Sequence, residues 1–241
     1  MSTHFQPGGE PRDTWSGIGQ DLKSTFFRTM GPVVLPLAAM WVLYFISIFV
    51  GNWLNRSLAL QARELDGLIG ILFMPLLHGG FGHILGNTMS WLVLGGMIAL
   101  LTRRFTRIMV AIWLLSGAIL WIIGTPWVCH APEGLGCVGL HIGASAVVYG
   151  FAGFLVTYGF LARRVLAILF ALFVLFFYGL SMIGGMMPFN SGGVSWTGHL
   201  SGAIAGVVVA FFFTKEARAE RLARASSRRN DGGDLPPLSY R

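Results

Sequence analysis

Charge is scarce in this chain. Only 11% of its 241 residues are Asp, Glu, Lys or Arg, against 54% hydrophobic residues, whereas a soluble domain carries about 25% charged residues. A water-soluble globule is thereby excluded, and the mean hydropathy of +0.68 marks a polytopic membrane protein. Between Asp66 and Phe213 the apolar runs contain no Asp, Glu, Lys or Arg at all, so no carboxylate is at hand inside them to complete a catalytic triad. No period of 20 to 50 residues recurs, as a solenoid would require. The formal charge of +7 does not indicate a nucleic-acid partner, because the cations sit in short clusters beside apolar runs, as orientation signals do.

What is present is a succession of apolar segments, each near the roughly 20 residues of helix that cross a hydrocarbon core. The first runs from Gly31 to Leu54. The region from Gly67 to Leu101 is too long for one span and is divided by His78-Gly79-Gly80-Phe81-Gly82-His83. Gly67 to Leu77 reads as an embedded or interfacial piece, and Phe81 to Leu101 as the second span. Ile108 to Thr125, Gly143 to Ala162, Val165 to Gly184 and Trp196 to Phe213 supply spans three to six. The expected architecture is therefore an all-α membrane protein, a six-transmembrane-helix bundle over residues 31–214, with tails at 1–30 and 215–241. In the first tail, Ile18 to Phe27 is either a short amphipathic segment on the membrane surface or disordered.

Arg12, Lys23 and Arg28, then Arg103, Arg104 and Arg107, then Arg163 and Arg164, and finally Lys215 to Arg229 mark one side of the membrane, while the opposite loops carry only Arg56 and Arg63. By the positive-inside rule both termini are cytoplasmic. The starts of spans two, four and six then share the outer side. Charge alone thus places His83, Ser145 and His199 near one face.

Polar side chains inside spans are costly and mark function. His83 and Asn87 are four residues apart, on one face of a helix at its start,. Two such donors suit an oxyanion site, and they can equally hydrogen-bond neighbouring helices. Ser145 needs a base to become a nucleophile, and His199 is the candidate. Gly202 and Gly206 follow His199 on one helical stripe, facing the small residues Gly143, Gly150 and Gly153 of the fourth span, so the two helices can approach closely,. Tyr149, one turn after Ser145, would lie against the imidazole. The alternative is ordinary small-residue packing with His199 bonded to a carbonyl. Without an acidic partner, a serine-histidine dyad is the consistent form of catalysis.

Taken together, His78-Gly-Gly-Phe-Gly-His83-Ile-Leu-Gly-Asn87, Gly143-Ala-Ser145-Ala-Val-Val-Tyr149-Gly150 and Gly198-His199-Leu-Ser-Gly202-Ala-Ile-Ala-Gly206 resemble the three signature segments of the rhomboid intramembrane serine proteases. The resemblance covers roughly residues 70 to 210. It implies a rhomboid-like bundle in which Ser145 is the nucleophile and His199 its base, with Tyr149 stacked on the imidazole. His83, Asn87 and the Ser145 backbone amide would form the oxyanion hole, and His78 would support it. The implied substrates are membrane-anchored proteins cut in or beside a transmembrane segment, without a cofactor or metal, in the plasma membrane of a prokaryote. The alternative is a catalytically silent rhomboid-like protein that binds transmembrane helices. A small transporter or channel would show a polar lumen or an inverted repeat, and neither is evident.

The chain departs from the family in two places. Ala146 stands where glycine often follows the serine, and its methyl is expected to narrow the cleft. The first outer loop, Asn52 to Asp66, is short and lacks the frequent Trp-Arg pair. In the third loop, Cys129 and Cys137 read as a disulfide bracing the start of the serine helix, with two free thiols as the alternative. The Cys-His-x6-Cys-x3-His spacing that includes His130 and His141 is not a familiar zinc pattern.

Overall fold

A computed structural model describes residues 14–51, 53–126, 139–188 and 195–231. Six helices among them are long and apolar enough to cross a membrane: α1 (Thr14–Val50), α4 (Phe81–Leu101), α5 (Phe105–Ile123), α6 (Ser145–Ala162), α7 (Val165–Gly185) and α8 (Trp196–Asp231). Two short helices, α2 (Trp53–Leu58) and α3 (Gly70–Phe73), and two 3-10 turns, Asp66–Ile69 and Met74–Leu76, fill the stretch between α1 and α4. Strands β1 (Leu60–Gln61) and β2 (Leu140–His141) pair antiparallel, Leu60 opposite His141. That two-residue pair is the one departure from an all-helical chain among the described residues.

The spans begin and end close to the bounds expected from hydropathy, with two instructive exceptions. Helix α1 starts at Thr14, so Ile18 to Phe27 continues the first span as helix instead of forming a separate surface segment. Helix α8 likewise runs through the arginine-rich stretch to Asp231. In both cases a helix already nucleated in the membrane propagates into polar sequence, where adding a residue costs little. The Ala, Arg, Glu and Leu after Lys215 are good helix formers.

Helix α6 lies at the centre, with α4, α5, α7 and α8 packed around it. Phe151 and Phe154 of α6 are fully buried, and Phe151 meets Trp91 of α4 edge-on with ring centroids 4.9 Å apart. The Trp91 indole N–H donates to the Val33 carbonyl at 2.9 Å. A carbonyl oxygen has two lone pairs, so this bond from α4 adds to whatever the Val33 carbonyl accepts within α1. A second indole, Trp41, donates to Thr88 Oγ1 at 3.1 Å and ties α1 to α4 again.

Helix α8 crosses α6 on glycine. A Cβ built on Gly202 would fall inside the Ala146 carbonyl, and one on Gly206 inside the Gly150 carbonyl. A Cβ on Gly153 would come 2.7 Å from the Ala203 carbonyl oxygen. Backbone therefore rests on backbone along this crossing, which is the contact small residues permit in membranes. Gly150, Gly202 and Gly206 all lie on this crossing. Gly143 does not, because it precedes α6 and has φ +111°.

Candidate active site

The three polar stretches converge where α4, α6 and α8 begin. Gly143 is the hinge of this region. Its positive φ is a conformation open to glycine and costly for other residues, its N–H donates to the Met74 carbonyl at 2.9 Å, and an added Cβ would sit 2.5 Å from His83 Nε2 and 3.6 Å from Asn87 Nδ2. The absence of a side chain at Gly143 lets the imidazole and the amide lie directly against the turn that leads into Ser145. His83 is exposed and Asn87 buried.

Asn87 is held from behind. Its Nδ2 lies 3.1 Å from His78 Nε2, and His78 is fixed in turn by Asn55 Nδ2, which donates to the His78 carbonyl at 3.3 Å. Burial, helped by the neighbouring His83, pushes His78 down to about 4. A neutral His78 keeps a lone pair on Nε2 to accept from Asn87, which leaves the second amide proton of Asn87 free for another acceptor.

This carries a pH prediction. Above pH 6.5 His78 is neutral both folded and unfolded and adds no pH dependence. As the pH falls from 6.5 towards about 4, the unfolded chain takes up a proton that the folded chain refuses. His78 alone then lowers stability by about 3 kcal/mol, a contribution complete below that window. Unfolding in detergent followed from pH 7 to 4 should show the slope in the wild type and a shallower one in His78→Asn. Equal slopes would contradict the assignment.

On the other side, the Tyr149 ring lies parallel to the His199 imidazole, with centroids 3.9 Å apart and planes 10° apart. His199 Nδ1 is 2.9 Å from the Gly185 carbonyl oxygen. A carbonyl can only accept, so Nδ1 carries the proton and Nε2 offers its lone pair. His199 is 7% exposed, and His83 is near enough for the two imidazoles to interact electrostatically. Ser145 opens α6 one turn before Tyr149, beside the Ala146–Gly202 contact that locks α6 to α8. Ala146 does not narrow a cleft: it is 2% exposed, and its methyl fills a packed cluster with Leu60, Met74 and Leu120.

Sequence reasoning missed three contributors. Gly185 ends α7, and a Cβ there would collide with the Tyr149 hydroxyl and come 3.0 Å from His199 Nδ1, so only glycine lets α7 close over the stacked rings. Asn55, behind His78, had no motif to reveal it. The third is the pair His141 and Ser195. His141 was weighed only as a metal ligand, yet its Nε2 lies 3.1 Å from the Thr125 carbonyl oxygen and its Nδ1 2.8 Å from Ser195 Oγ. Burial lowers its affinity for a proton. The neutral ring donates from Nε2 and accepts the Ser195 hydroxyl proton at Nδ1, and Ser195 Oγ in turn accepts the Gly198 N–H at 3.1 Å. Ser195 thus caps the helix that carries His199, and a serine just before an apolar run was the available signal. Both ring nitrogens of His141 are thus engaged in hydrogen bonds. Cys129 and Cys137, with the expected disulfide, lie outside the described residues.

Residues 65–216 match the sequence profile of a family described as "Rhomboid domain". An uncharacterized protein of Mycobacterium tuberculosis is 35% identical over 227 residues, 92% of this chain and 90% of the relative. One of Mycobacterium leprae is 35% identical over 217 residues, 88% of this chain and 81% of the relative.

Proposed function

The chain belongs to the rhomboid family, and on that premise we propose that it is an intramembrane serine protease that hydrolyses peptide bonds in or beside transmembrane segments of membrane-anchored proteins. The observation that carries this reading is the state of His199: stacked on Tyr149 and held at Nδ1 by Gly185, it keeps the Nε2 lone pair free on the helix that crosses α6 at Ala146, the residue after Ser145. A binding protein has no need of a histidine fixed in that tautomer.

In the proposed mechanism Ser145 Oγ attacks the scissile carbonyl as its proton passes to His199 Nε2. The oxyanion takes hydrogen bonds from the free proton of the Asn87 amide, from His83 and from the Ser145 backbone N–H. Each such donor is worth about 10²- to 10³-fold in rate. His199 then protonates the departing amine, and water attacks the acyl-serine ester with His199 again as base. No metal or cofactor enters. The reading includes both termini on the cytoplasmic side, as the arginine clusters indicate, so that the catalytic end faces outward.

Labelling with a fluorophosphonate tests this directly. Wild-type protein in detergent is expected to be labelled, and Ser145→Ala is expected to take up no label. Labelling that survived Ser145→Ala would place the nucleophile elsewhere, and a wild type that neither labels nor cleaves a model transmembrane substrate would favour the silent helix-binding alternative.

A further inference from the structure

At the far end of α4 from His83, about 30 Å along the helix, α1, α4 and α5 enclose a cleft of about 330 Å³. Arg28 and Arg103 line it, and among the described residues no carboxylate does. Thr25, Arg28 and Thr29 of α1 share one helical face and turn into it, and Thr106 approaches from the start of α5,. Its apolar lining is Pro32, Ala99 and Phe105, of which Ala99 and Phe105 are buried.

We propose that this cleft binds the phosphate of an anionic membrane phospholipid. Arg28 and Arg103 are both exposed to solvent and border the same concavity, so an anion seated in it could be approached by two guanidinium groups at once. Arginine presents paired N–H groups that match phosphate oxygens, and the threonine hydroxyls can donate to the remaining oxygens. The location selects a lipid over a free anion. The candidate span of α1 begins at Lys23 and that of α4 ends at Leu101, so the cleft opens at the level where headgroups lie, with an apolar lining for the glycerol and first methylenes. Phe26 and Phe27, beside Arg28, are 62% and 60% exposed, apolar surface that acyl chains next to the cleft can cover. The charge selects an anionic headgroup: a zwitterionic lipid would bring its ammonium group close to the arginines. This site is remote from Ser145 and stands whether or not the chain is a protease.

Native mass spectrometry of the full chain in detergent, titrated with phosphatidylglycerol, phosphatidylcholine or inorganic phosphate, tests it. Phosphatidylglycerol is expected to give a discrete one-lipid adduct, weakened roughly thirtyfold in the double variant Arg28→Gln/Arg103→Gln. The control Arg163→Gln/Arg164→Gln removes the same charge at the same end of the bundle and should leave the adduct unchanged. Thr29→Leu keeps both arginines but fills the cleft, and should weaken binding without altering charge. Equal weakening in the control, equal binding of phosphatidylcholine, wild-type affinity in Thr29→Leu, or displacement of the lipid by inorganic phosphate would each overturn the proposal.

Discussion

Replacing His199 by alanine is expected to lower kcat for cleavage of a transmembrane substrate by about four to six orders of magnitude, with KM little changed. The size follows from the role. With Nδ1 committed to Gly185 at 2.9 Å, Nε2 is the lone pair available to take the serine proton. No Asp or Glu occurs in the apolar spans to substitute for it. Ser145→Ala should lose as much, and the double variant Ser145→Ala/His199→Ala no more than either alone, because the two residues act as one unit. The pattern is measured by cleavage kinetics in proteoliposomes. A His199→Ala variant that kept even a hundredth of wild-type kcat would assign the base to another group, as would a double variant far worse than both singles. Tyr149→Phe serves as a reference. It keeps the ring that stacks at 3.9 Å and should retain most of the activity, whereas Tyr149→Ala frees the imidazole to rotate and should not.

The spans were legible because the bilayer imposes a length and forbids charge, and both conditions can be read residue by residue. The small-residue contact of α6 with α8 was legible for a related reason: glycines spaced along one helical stripe have few other uses in a membrane. Gly143 was misread because spacing does not distinguish a glycine that lets helices approach from one that lets the backbone turn. Its φ of +111° and the His83 ring beside it belong to a loop that depends on Met74, 69 residues earlier in the chain. The same limit hid Gly185 and the hydrogen bond between His141 and Ser195. These are contacts between loop ends, and loop ends meet only after the helices have packed. Ala146 shows the converse. The change from glycine was visible at once, yet its direction, into the cluster of Leu60, Met74 and Leu120, depends on β1 and the short helical turns behind it.

Gly202→Val is expected to destabilise the bundle and to reduce cleavage at least a hundredfold, even in protein that remains folded. A single Cβ at this position already overlaps the Ala146 carbonyl, and that atom is helix backbone with no rotamer into which it could withdraw. Helices α6 and α8 must therefore separate, at a cost of about 1–3 kcal/mol or more for overpacking. Ser145 sits one residue before Ala146 and His199 one turn before Gly202, so the separation falls directly between the proposed nucleophile and its base. A displacement near 1 Å is enough to cost about 10²-fold. Gly202→Ala should show the same effects in milder form, and Gly206→Val should destabilise the bundle while disturbing the reacting pair less, because Gly206 presses on Gly150 one turn further from Ser145. Gly96→Ala on α4 is the contrasting case: nothing lies within 4 Å of its added Cβ, so it should melt at or above the wild-type temperature. Melting in detergent and cleavage rates, measured on all four variants, separate the two effects. If Gly202→Val melted lower yet cleaved at the wild-type rate, the α6–α8 crossing would be a source of stability alone, and the alignment of Ser145 with His199 would have to come from the turn at Gly143 and the stacking of Tyr149.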